Sequence, residues 1–75
     1  MDYLYNLLMI SYEPMWDTMQ KKQITQYHLI TRCGINPKTL DRIKKGQNIT
    51  LQTLEKICKG LRCKPNDVIA FVQEK

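Results

Sequence analysis

The chemistry-bearing side chains of this sequence are mostly cationic, and they are unevenly placed. All 12 Lys and Arg residues lie from Lys21 onward, while residues 1 to 20 carry only the charges of Asp2, Glu13 and Asp17. The net charge of +5 is therefore concentrated in the part of the chain after Lys21. A basic surface of this kind attracts DNA, RNA or an anionic membrane through a salt-sensitive attraction that does not depend on sequence. Catalytic groupings are not visible. His28 is the only histidine, with no Ser or Asp arranged around it, and reads as a surface or packing residue. There is no phosphate-cradling glycine loop, no pair of catalytic carboxylates and no nucleophile-base pair. The chain is therefore not expected to be an enzyme or to need a cofactor. Cys33, Cys58 and Cys63 form no CxxC pair and fall at or near apolar positions, so they read as buried free thiols. Together with His28 they lack the matched spacing of a four-ligand zinc site. Lys56, Lys59, Arg62 and Lys64 read as a solvated face, and Trp16 as core.

Positioning any such groups requires a fold, and 75 residues hold one domain with a core only just large enough to offset chain entropy. A hydrophobic fraction of 43% and a charged fraction of 25% fit a globular protein. The apolar runs fall far short of the roughly 20 residues that cross a bilayer, so no membrane span is expected. The absence of Lys and Arg from the first twenty residues also argues against a secretory signal. The expected location is the cytoplasm.

A helix-start pattern recurs three times. Ile24-Thr25 precedes Leu29, Ile35-Asn36 precedes Leu40, and Ile49-Thr50 precedes Leu54. In each case an apolar residue, a capping oxygen and a second apolar residue four helical positions on fix where the helix begins and at what angle. Cys63-Lys64-Pro65 with Val68 is a weaker copy in which Lys64 is a poor cap and Pro65 suits the first helical position. The pattern predicts an all-α, five-helix bundle with helices at about 13 to 22, 25 to 33, 36 to 45, 50 to 62 and 65 to 73. Helical spacing turns Trp16 and Met19, Leu29 and Cys33, Leu40 and Ile43, and Leu51, Leu54, Ile57, Cys58 and Leu61 inward. Val68, Ile69, Phe71 and Val72 give the last helix more apolar surface than one face requires. The excess is left to pack on the first helix or on another subunit. Residues 1 to 11 are read as an N-terminal arm and 12 to 75 as the domain. Met1 to Ile10 has no clear period and is left open as arm, strand or helical turn, and Met9 is an alternative start.

The segment Gln26 to Lys45 reads QYHLITRCGINPKTLDRIKK. Gly34 sits just past one helix, where a left-handed residue lets the chain turn sharply, and Asn36 caps the next. The three residues between Cys33 and Pro37 cross two helices steeply, so the second can project from the domain and enter a major groove. From about Tyr12 to Val72 the chain resembles the Cro and phage-repressor type of helix-turn-helix domain, also called the xenobiotic-response-element family. The resemblance is carried by ITQYHLITRCGINPKTLDRIKKGQ, TLQTLEKICKGL and KPNDVI, and implies a lambda-repressor-like DNA-binding fold. Many members have a small residue where this chain has Ile30, which implies a slightly different crossing of the two motif helices.

By position, the resemblance implies that Gln26 contacts a phosphate, helped by free helix amides. It further implies that Lys38, Thr39 and Arg42 make base contacts from the start of the groove-reading helix, which Asn36 caps. Arg or Lys can donate to guanine O6 and N7, and Thr can touch a thymine methyl or a base edge. Contact with phosphate or water alone is the alternative. Pro37 fills a place where other members present a side chain, implying a narrower readout. Lys44, Lys45, Gln47 and Asn48 are expected to hold the DNA backbone. The implied function is that of a sequence-specific DNA-binding transcriptional regulator, a repressor, acting as a homodimer on a pseudo-palindromic operator in double-stranded DNA. The alternative is a protein-interaction module such as the antitoxin of a toxin-antitoxin pair, docking a toxin through Phe71, Val72 and the Tyr-Leu N-terminus.

Overall fold

Capping chemistry places the helices, and the strands follow from what the helices leave uncovered. The computed structural model describes residues 8–73, in the order β1 (Leu8–Ser11), α1 (Glu13–Lys22), α2 (Gln26–Thr31), α3 (Pro37–Lys44), α4 (Leu51–Leu61), a 3-10 turn (Pro65–Asp67) and β2 (Ala70–Gln73). Residues 1–7, the outer part of the expected arm, lie outside the described residues. Each of the three expected caps is made. The side-chain oxygens of Thr25, Asn36 and Thr50 accept from the amides of His28, Lys38 and Thr53 at 3.1, 2.8 and 3.1 Å. The first helix relies instead on Pro14 in its opening turn, with Glu13 at its positive end and Lys21 and Lys22 at its negative end, charges that complement the helix dipole.

The core is formed by Tyr12, Met15, Met19, Leu29, Ile35, Leu40, Ile43, Ile57, Leu61 and Val68. Burial of these side chains is what holds the four helices in place. Met15, not Trp16, is fully buried on α1, while Trp16 packs against the core from its edge. Leu51 is a second correction. It was expected to face inward, but as the first residue of α4 it lies beyond the edge of the bundle and is 83% exposed.

The expected fifth helix is replaced by the 3-10 turn and β2, so the fold is not all-α. Asp67 accepts from the backbone amide of Lys64 at 3.1 Å, and the turn closes with the Val68 and Ile69 amides donating to the Pro65 carbonyl at 3.0 and 2.9 Å. The Val68 carbonyl is then taken by the Met15 amide at 3.1 Å, and the Asp67 carbonyl by the Thr18 hydroxyl at 2.8 Å. With those two carbonyls engaged by α1, the chain leaves the turn extended. Ala70–Gln73 pairs antiparallel with β1, Met9 opposite Val72 and Ile10 opposite Phe71. The apolar excess noted in the sequence is thus a strand signal, since both faces of a short two-stranded ribbon carry apolar residues.

Candidate nucleic-acid interface

The geometry begins with the turn between α2 and α3. Gly34 has φ +71, and the Ile35 amide reaches back to the Leu29 carbonyl at 3.1 Å, closing the end of α2 in the left-handed manner that glycine adopts without strain. Ile35 is then buried, Asn36 caps, and Pro37 opens α3. Leu40 and Ile43 anchor α3 to the core at 3% and 2% exposure. At 100° per residue this leaves Lys38, Asp41, Arg42 and Lys45 pointing away from the bundle, and all four are exposed. Thr39 is half-buried on the flank of α3 that faces the start of α4.

Nine of the ten residues expected at the interface are exposed, with Thr39 the half-buried exception. They come from three places. Gln26 is the first residue of α2; Asn36, Pro37, Lys38, Thr39, Arg42 and Lys44 belong to the cap and body of α3; and Lys45, Gln47 and Asn48 lie on the loop around Gly46. Arg42 and Thr39 share an open groove of about 220 Å³ with Asn48, Ile49, Thr50 and Thr53. Lys45 is less free than the sequence suggests, because its ammonium pairs with Asp41 one turn earlier at 3.0 Å. That exposed pair is weak, but it neutralises the one acidic residue on the outer face of α3.

Two groups in the groove were missed by reading the sequence. Thr50 was seen only as a cap and Thr53 not at all, yet the Thr50 hydroxyl donates to that of Thr53 at 3.0 Å on the wall opposite Arg42. The signal that could have found them is the polar spacing of Asn48, Thr50 and Thr53 just after the recognition segment. Tyr12 supports the arrangement from behind. Its buried hydroxyl donates to the Gln47 carbonyl at 2.6 Å, tying the loop after α3 to the start of α1. Burial pushes the Tyr12 phenol above its ordinary pKa, and the charge of Arg42 partly offsets this.

An exposed helix held out by a left-handed turn, with cations on its outer face and hydroxyls beside it, is suited to a duplex groove and its phosphates. Comparison with known proteins agrees. Residues 15–74 match the Cro/C1-type HTH DNA-binding domain family. The chain belongs to that family. Among curated proteins this Cro/C1-type domain is similar to the uncharacterized HTH-type transcriptional regulator YozG of Bacillus subtilis (strain 168), with 36% identity over 55 residues. That match covers 71% of this chain and 66%, just under two thirds, of the relative. Among solved structures it is similar to the crystal structure of transcriptional regulator VanUg, Form II, at a TM-score of 0.82 and 25% identity, covering 89% of each chain. The family so described is one of DNA-binding domains. Among its described residues no helix is long and apolar enough to cross a membrane, and no group of three or more His, Cys, Asp or Glu side chains could hold a metal ion.

Proposed function

We propose that this Cro/C1-type domain is a sequence-specific transcriptional regulator that inserts α3 into the major groove. The observation that carries the reading is the outward face of α3, where Lys38 and Arg42 stand exposed, opposite the buried Leu40 and Ile43, and beside the groove lined by Thr50 and Thr53. Lys38, Thr39 and Arg42 read base edges, with Asn36 and Pro37 setting the start of the helix. Gln26, Lys44, Lys45, Gln47 and Asn48 hold the backbone of the duplex, and Thr50 and Thr53 add hydroxyl donors to the same strand. An eight-residue helix reads few base pairs, so the protein acts as a homodimer on a pseudo-palindrome with half-sites roughly 34 Å apart. Exposed Leu51 and Phe71 border an apolar groove of about 160 Å³ with Ile10, Ile49 and Leu54, and this surface supports the pairing. Occupying a promoter duplex in this way acts by occlusion, that is, as a repressor. This reading places the protein in the cytoplasm, alongside the DNA.

Selection of bound duplexes from a random pool, followed by anisotropy titrations across salt, tests the reading. Arg42→Ala and Lys38→Ala should each cost about 1–3 kcal/mol and relax base preference at one position. If the wild-type protein fails to bind any duplex at low salt, or selects no shared sequence, the proposal is lost.

A further inference from the structure

A second feature lies at the far end of α4 from the groove. The helix ends at Leu61, and Arg62 follows in the left-handed conformation at φ 54. The Cys63 amide donates back to the Cys58 carbonyl at 3.0 Å. This six-to-one closure brings the side chains on either side of it together, a place where natural helices often put an apolar contact. Here both positions are cysteines. The two thiols lie near enough to shift one another's pKa, and both residues are half-buried rather than enclosed. The third thiol, Cys33, packs against Gly60.

We propose that Cys58 and Cys63 form a dithiol modification site that a small-molecule disulfide, such as oxidised glutathione, converts to an intramolecular disulfide. Deprotonated Cys58 is the attacking thiolate. It attacks one sulfur of the oxidant, forming a mixed disulfide and releasing one thiolate. Cys63 then loses its proton and attacks the Cys58 sulfur, expelling the second thiolate. The protein gives up two electrons and two protons, and the oxidant becomes two thiols. The turn at Arg62 matters because it holds the two sulfurs together before either reacts, which the unfolded chain does not.

Burial pushes both thiols above their ordinary pKa, and Asp67 adds to this; Lys22 opposes it at Cys63. Exchange is therefore slow at neutral pH, and the equilibrium position is the quantity to measure. The protein is equilibrated with reduced and oxidised glutathione, once folded and once in urea, then alkylated and digested with trypsin. Lys59 and Arg62 lie between the two cysteines, so the disulfide leaves two peptides joined across the cuts. The expected result is a fall from three free thiols per chain to one, a joined Cys58–Cys63 peptide pair, and an equilibrium constant at least ~10-fold larger in the folded protein than in urea. Cys58→Ser and Cys63→Ser should each give no joined pair. Equal constants in the two states, links made only through Cys33, or three thiols that survive in the folded protein would each overturn the proposal.

Discussion

Replacing Gly60 with alanine tests the packing behind the recognition helix, and its outcome can be worked out in advance. A β-carbon built on Gly60 comes within 2.9 Å of the Cys33 β-carbon and closer still to the Cys33 sulfur. Rotating the cysteine moves its sulfur out of the way but leaves its β-carbon in place, so α4 and the end of α2 must separate. Two effects oppose one another. Alanine in a helix interior is favoured over glycine by about 1 kcal/mol, while overpacking of this kind costs about 1–3 kcal/mol. The clash wins, with a net loss of about 1 kcal/mol, which lowers Tm by about 4–8 °C in a domain of this size. Thermal unfolding followed by circular dichroism reads the shift directly. Cys33→Ala removes the sulfur but keeps the β-carbon, so the Gly60 substitution should still lower Tm in that background. A Gly60→Ala substitution that stabilises the protein in both backgrounds would refute the close approach of the two helices.

Three further outcomes follow from the same geometry. Asn36→Ala removes the oxygen that accepts from the Lys38 amide and should cost about 1 kcal/mol of stability in urea unfolding, with DNA affinity falling as α3 frays. Tyr12→Phe deletes the hydrogen bond to the Gln47 carbonyl. It should cost about 0.5–1.5 kcal/mol and weaken duplex binding in anisotropy titrations, because the loop that carries Gln47 and Asn48 loses its tether. Folding also raises the pKa of Tyr12 and of all three thiols, in each case chiefly through burial. The folded state therefore prefers the neutral forms. Their contribution is fully present below the ordinary values of about 8.5 for Cys and about 10 for Tyr and is lost as pH rises through the higher folded values. Urea midpoints should stay level from these groups between pH 7 and 8 and fall above about pH 9, and a midpoint that rises there would contradict the burial.

The helices were legible because their signals are local. Thr25, Asn36 and Thr50 each cap a helix within three residues of themselves, and Gly34 announces its own positive φ. The ribbon was not legible, since β1 and β2 are four residues each and the partner that makes either one a strand lies some sixty positions away along the chain. Nothing between Val68 and Val72 states on its own that α1 will claim the carbonyls of Asp67 and Val68. Leu51 fits a helical stripe by spacing, but the stripe extends one residue past the body it faces. At the interface, exposure of Lys38 and Arg42 follows from the buried Leu40 and Ile43, so their side of the helix could be read directly. Thr53 could not, because its importance comes from α4 meeting α3 across a groove.

The pairing of Leu8–Ser11 with Ala70–Gln73 also bears on how the domain is made. A ribosome releases β1 well before β2, so during synthesis the first strand has no edge to zip against until Ala70–Gln73 has emerged. Thr25, Asn36 and Thr50 can begin ordering their helices while translation continues. The ribbon closes only once β2 is out, and a chain cut before Ala70 would leave β1 without its partner.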